Sequence, residues 1–192
     1  MNTLTKRMTA ILLAACFSTL PVWAADKTAG EQKSAICAGC HGATGKSSNA
    51  ETANLAAQKA SYIVSQLQAF KSGIRNNPMM EPIAAGLTDA DMENLAAYFA
   101  SQTAVKTDID AAVANAAAKD ASAKSTMCLG CHGETAAGNG QVPRLAGLQP
   151  DYIVKQLHAF KDGSRKNGQM KAIAATLPEQ DIKALAVYFG SR

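Results

Sequence analysis

One six-residue phrase is written twice in this chain. CAGCHG begins at Cys37, and CLGCHG begins at Cys128. The residues beyond each phrase are repeated too. From Leu55 to Gln102 and from Leu145 to Arg192 the two stretches align without a gap, and half of the aligned positions are identical. Agreement at that level marks an internal duplication. Two copies of about 75 residues make a pair of small domains rather than a solenoid.

The composition favours helices. Hydrophobic residues make up 47% of the chain, much of it alanine, while aromatics make up 5%. No run of β-branched residues reaches strand length, so the fold class expected is all-α. The division expected is a leader over 1–24, one domain over 25–102, a partly helical connector over 103–123 and a second domain over 124–192. In the leader, Lys6 and Arg7 precede an apolar stretch from Met8 to about Val22, and Val22-Trp23-Ala24 offers a cleavage site. This reads as a secretory signal peptide, too short for a good transmembrane span. Leu13-Ala14-Ala15-Cys16 also resembles a lipobox, so lipid anchoring at Cys16 is the minor alternative, although Phe17 to Trp23 stays apolar.

Each copy reads as a few short helices. Tyr152, Ile153, Leu157 and Phe160 share one helical face, with Asp151 as the expected N-cap and Gly163 beyond the end. The matching helix spans about Ser61 to Ser72, with Gly73 beyond. The last helix of the first copy starts at Thr88, with Asp91 completing a capping box. Pro178 marks the corresponding start in the second copy, in the first turn. Leu95, Tyr98 and Phe99 match Leu185, Tyr188 and Phe189 as the buried face. Met92 pairs with Ile182, and Met127 with Ile36, all four expected in the core.

A domain of about 75 residues buries little apolar surface and generally needs a staple. Cys-x-x-Cys-His supplies one. Cysteines at i and i+3 of a helical turn face the same way, and a histidine at i+4 joins them, as c-type haem attachment requires. Cys37, Cys40, Cys128 and Cys131 are therefore the candidate covalent anchors, with His41 and His132 as iron ligands. The rival readings fit less well. A thioredoxin-like CxxC needs a βαβ context, and a zinc site needs a fourth ligand. A disulfide leaves the histidines unexplained.

The duplication also selects a sixth ligand. Met80 lies 25 residues after Leu55 and seven before Leu87, and Met170 holds the same place between Leu145 and Leu177. Met79 aligns with Gln169 and is demoted to loop or haem-edge packing, although a slip of one residue would exchange it with Met80. His158 faces Gln68 in the other copy and reads as a surface residue. Histidine and methionine together fill both axial positions, which raises the potential and argues for electron transfer rather than catalysis.

At these residues the chain resembles the dihaem cytochromes c4. The resemblance rests on the tandem CxxCHG, Pro143-x-Leu145-Ala146-Gly147, the Tyr-x-x-x-Gln-Leu-x-x-Phe helix, the placed methionines and the final Tyr-Phe helix. It implies two cytochrome c-like domains related by a pseudo-twofold, two covalent haem c groups with facing propionates, and a periplasmic role between a quinol-oxidising complex and a terminal oxidase or reductase. It also implies that the Pro143 carbonyl orients His132. The first copy departs here, with Ala53 in place of proline, so the rigid φ is lost although a carbonyl remains. Arg75 and Arg165 are repeated, as are Asn77 and Asn167. They either neutralise propionates, shape the methionine loop or are solvated loop residues.

Three functions compete. The leading one is a free electron carrier and not an enzyme. The others are a bound cytochrome subunit of a larger oxidoreductase and a dihaem peroxidase. Nothing points to nucleic acid, and peripheral membrane association stays open. Charge divides the chain: Ala25–Gln102 carries six Lys/Arg against seven Asp/Glu, and Lys124–Arg192 nine against five. The plain reading of this asymmetry is drift on solvated faces; the sharper one is that Lys155, Lys161, Arg165, Lys166 and Lys171, on or beside the second helix and methionine loop, present a basic surface to an acidic partner.

Overall fold

A computed structural model describes residues 24–192; residues 1–23, with Lys6, Arg7 and Cys16 of the leader, lie outside them. Nine helices occur among the described residues, with two isolated β-bridges and no longer strand pairing. The first domain holds α1 (Lys27–Lys33), α2 (Ala35–His41), α3 (Ala60–Lys71), α4 (Met80–Ala85) and α5 (Asp89–Ala100). The second holds α6 (Ala111–His132), α7 (Pro150–Asp162), α8 (Gly168–Ala175) and α9 (Glu179–Gly190). α6 runs straight through the position where the connector is expected to end, so connector helix and cysteine-bearing helix are one element. In the first domain the equivalent path breaks at Ser34, which closes α1 and opens α2.

The helix starts follow local chemistry. Thr88 and Asp91 form the full reciprocal capping box of α5. Asp151 is not the cap of α7; Gln149 is, because the fixed φ of Pro150 starts the helix one residue earlier and leaves Asp151 in the first turn. Pro178 is likewise the N-cap of α9, one place before the first turn. Each domain has its own core. Ile63, Leu87, Met92, Leu95 and Phe99 form the first; Ile153, Leu177, Ile182, Leu185 and Phe189 form the second. Tyr98 and Phe99 stack edge-on at 5.1 Å, as do Tyr188 and Phe189.

The domains dock through residues that the duplication relates. An isolated antiparallel bridge pairs Arg75 with Arg165. The Gln66 Oε1 accepts from Arg75 Nη1 at 2.7 Å and from Arg165 Nη2 at 2.9 Å. The Gln156 Oε1 accepts from Arg165 Nη1 at 2.6 Å and from Arg75 Nη2 at 2.8 Å. These four bonds close a ring that crosses the interface. Each Nη2 also donates to a tyrosine of the other domain: Arg75 to Tyr152 at 3.1 Å and Arg165 to Tyr62 at 2.7 Å. Burial pushes the Tyr152 phenol up, but the two guanidinium groups outweigh this and leave it lowered. Elsewhere the Gln58 amide pairs with both backbone groups of Arg144, and Asn54 Nδ2 donates to the Gly147 carbonyl at 2.6 Å.

Two backbone positions need the left-handed region in both copies. Gly147 has φ of 76°, and its counterpart Ala57 takes 55°. Gly45 has φ of 83°, and its counterpart Ala136 takes 56°. The backbone N–H groups of Ala57 and Gly147 donate to Phe99 and Phe189 at the ends of α5 and α9. That bond locks the conformation even where alanine must bear the strain. A Cβ on Gly147 would stand 1.8 Å from the Val105 carbonyl oxygen, since the connector crosses there. Gly147→Ala should therefore destabilise the second domain by about 1–3 kcal/mol or more, whereas Ala57→Gly should change the first by less than about 1 kcal/mol. Denaturant unfolding of both variants measures this. Arg165→Met should cost about 1.5–3 kcal/mol in the same experiment, by removing charge-assisted bonds that span both domains.

Candidate functional site

The two CxxCH segments occupy helix ends. α2 stops at His41 because Gly42 turns to φ of 77°, and α6 stops at His132 because Gly133 turns to φ of 82°. No two of the four cysteines are joined to each other, and each pair stands with its histidine at the end of one helix. Cys37 and Cys128 are half-buried, and burial raises both thiols. Cys40 and Cys131 are exposed.

The imidazoles are oriented by backbone. His132 Nδ1 bonds the Pro143 carbonyl at 2.7 Å, and His41 Nδ1 bonds the Ala53 carbonyl at 2.8 Å. The carbonyl only accepts, so Nδ1 carries the proton and Nε2 keeps a free lone pair. The loss of proline at Ala53 therefore leaves the bond intact. Desolvation lowers both histidines, against the raising effect of the carbonyl bond, and favours the neutral form that a metal needs.

Met80 opens α4, and Met170 lies in the first turn of α8. Both are half-buried, whereas Met79 is 67% exposed. Asn77 Oδ1 accepts from the N–H of Met80 at 3.0 Å, and Asn167 Oδ1 from that of Met170 at 2.9 Å. Of the roles open to these repeated asparagines, shaping the methionine segment is the one observed.

One cavity of about 780 Å³ joins both domains. His41, Cys37, Cys40 and Met80 line one end, and His132, Cys128, Cys131 and Met170 the other. Leu67, Phe70, Ile83, Leu157, Phe160 and Ile173 supply apolar wall, and Arg75 and Arg165 stand among the lining. This donor set fits haem c in each half. Paired thiols, one neutral imidazole and one thioether surround apolar space, with cations close by for carboxylates. Ile36 and Met127 depart from the alignment, which predicts core; they are 54% and 49% exposed and line this cavity. They precede a cysteine on the turn that faces the cavity, so core packing is closed to them. Met92 and Ile182 are fully buried.

The basic cluster is largely committed elsewhere. Lys155 pairs with Glu51 of the other domain at 2.8 Å, Lys161 donates to the Leu177 carbonyl at 2.6 Å, and Arg165 belongs to the interface ring. His158 is a surface residue paired with Glu179 at 2.8 Å. In the sequence Gln66, Gln156, Tyr62 and Tyr152 read only as parts of a helical pattern, and the structure makes them the interface. Their repetition in both copies, although they are polar, was the available signal.

A family model described as Cytochrome c matches residues 28–103, and one described as Cytochrome C oxidase, cbb3-type, subunit III matches 114–189. Cytochrome c4 of Pseudomonas aeruginosa is 33% identical over 197 residues, covering 95% of this chain and 96% of its own. A thiosulfate dehydrogenase electron acceptor of Stutzerimonas stutzeri is 35% identical over 170 residues, covering 81% of this chain and 78% of its own. The crystal structure of reduced recombinant cytochrome c4 from Pseudomonas stutzeri superposes with a TM-score of 0.79 at 33% identity, covering 88% of this chain and 99% of that one. With its tandem domains, its duplicated CxxCH sites and relatives that span almost its whole length, the chain belongs to the cytochrome c4 family of dihaem c-type electron carriers, with one covalent haem c per domain.

Proposed function

We propose that this chain is a periplasmic carrier that takes electrons from a quinol-oxidising complex and delivers them to a terminal oxidase or another reductase. The observation that supports it best is the matched donor set: in each half one neutral imidazole and one methionine thioether line the same cavity. In this reading Cys37, Cys40, Cys128 and Cys131 hold the haems covalently, His41 and His132 are the proximal ligands, and Met80 and Met170 the distal ones. Haem bound there supplies a one-electron iron couple, and methionine ligation raises its potential. Backbone carbonyls orient both imidazoles, and with haem bound the methionines would fill the sixth positions while the apolar wall would limit water.

With a methionine in the sixth position of each haem, no place would remain for a substrate, which speaks against the peroxidase reading. Among the described residues, the cavity wall carries one carboxylate, Glu51, and it is tied to Lys155. Export rests on the leader sequence. No helix among the described residues is long and apolar enough to cross a membrane. A second reading, a cytochrome bound to one dehydrogenase, draws support from the relative named as an electron acceptor of thiosulfate dehydrogenase. Size-exclusion chromatography of native extract separates the two: a free carrier elutes at its own mass, a bound subunit with its enzyme.

The mature protein should carry two covalent haems by mass spectrometry, and one haem or none would overturn the assignment. Met80→Ala should open one of the two haems to carbon monoxide, and Met170→Ala the other. Met79→Ala should open neither. Loss of the ligand in Met79→Ala alone would move the ligand by one residue.

A further inference from the structure

The methionine segments are too short to hold themselves. α4 has six residues and α8 has eight, far below the length at which a helix persists without tertiary support. Their N-terminal ends are fastened by Asn77 and Asn167. Their other ends are fastened by lysines. Lys71, the last residue of α3, donates from Nζ to the Leu87 carbonyl at 2.5 Å. Lys161, in the last turn of α7, donates to the Leu177 carbonyl at 2.6 Å. Each bond spans 16 residues and closes, at its base, the loop that carries Met80 or Met170.

The two leucines are buried at the junctions between α4 and α5 and between α8 and α9. The helices that supply the lysines pack against α4 and α8 and line the cavity through Leu67, Phe70, Leu157 and Phe160. Each lysine thus ties the wall of a haem site to the segment bearing its thioether. Lysine is well suited to this tie, because its long flexible stem reaches over the helix end and an ammonium bonded to a carbonyl is a charge-assisted contact. The same bond occurs in both domains although the neighbouring loop residues differ, Asn76-Asn77-Pro78-Met79 against Lys166-Asn167-Gly168-Gln169.

We propose that Lys71 and Lys161 are positioning residues for the axial methionines: each latches its methionine loop shut, and its loss lets an external ligand displace the thioether from one haem only. This rests on Met80 and Met170 being the distal ligands. A Fe(III)–S(Met) bond is weak enough to be displaced by imidazole, so the closed loop is what keeps the sulfur in place against competitors. The lysines touch neither the haem site's thioether nor its imidazole, and their effect passes through the backbone of the loop.

The test is imidazole titration of the oxidised dihaem protein, following the far-red band that reports methionine bound to ferric iron. Lys161→Met should lower the half-saturating imidazole concentration about tenfold for one of the two haems, the size expected for loss of one charge-assisted hydrogen bond. Lys71→Met should do the same for the other haem. Lys161→Arg, which keeps a donor of similar reach, should stay within about twofold of the parent. Lys161→Gln, polar but too short to reach the carbonyl, should behave as Lys161→Met and serves if that variant fails to fold. Lys183→Met, which removes a surface lysine of α9, should leave both haems unchanged. Unchanged imidazole affinity in Lys71→Met and in Lys161→Met or Lys161→Gln overturns the latch, as does equal weakening of both haems by one substitution. Met170→Ala tests the ligand assignment separately: loss of half the far-red band supports it, whereas a full band overturns the assignment and with it the latch that rests on it.

Discussion

Two polar bonds carry the design of each haem site: a backbone carbonyl that accepts from Nδ1 of the histidine, and an asparagine oxygen that accepts from the N–H of the methionine. The first fixes which imidazole nitrogen keeps a lone pair and where that lone pair can lie. The second fixes where the methionine segment starts. Each domain is too small to bury a comfortable core on its own, so its apolar residues are divided between packing on each other and lining a cavity. Phe99 and Leu95 do both, and so do Phe189 and Leu185. A substitution at these positions would disturb fold and site together.

The duplication explains how two such halves become one molecule. Both arginines reach a glutamine oxygen in each domain, so neither half can satisfy its interface without the other. The protein groups in the ring are neutral acceptors, and two guanidinium charges stand together against the cavity. Each guanidinium also lies 4.5 Å over a phenylalanine of its own domain, Phe70 or Phe160. Like charges held this close need anions nearby, and the carboxylates of haem are of the right chemistry. The interface and the cofactor environment are then a single electrostatic unit.

Much of this was legible in the sequence because the chain repeats itself. Repetition set His158 apart from the motif histidines and marked the buried faces through Leu95, Phe99, Leu185 and Phe189; it also ranks Met80 above Met79 as the proposed ligand. The helical fold and the α5 capping box followed from local chemistry. What stayed hidden depended on distance in space. Ile36 and Met127 sit where the alignment of the copies says core, yet they face a cavity. Ala57 and Ala136 take left-handed backbone that only a tertiary bond enforces, so no residue preference announces it. Lys161 and Lys155 counted as free surface charge until their partners, Leu177 and Glu51, were placed beside them.

The repeat is strict inside and loose outside, and that difference is itself informative. The cysteines, histidines and methionines of the proposed sites, the ring of Arg, Gln and Tyr, and the two lysines proposed as latches are kept in both halves. Around the cavity mouths the halves diverge: Ile74 and Met79 in the first are exposed, and Ser164 and Gln169 take their places in the second. Lys166 and Lys171 add charge beside the second, where the first has Asn76 and Glu81. Exposed rim residues carry little packing constraint and so differ easily, while residues packed within the halves agree. The interior is held constant by the geometry of one iron environment, whereas each rim is free to fit a different surface.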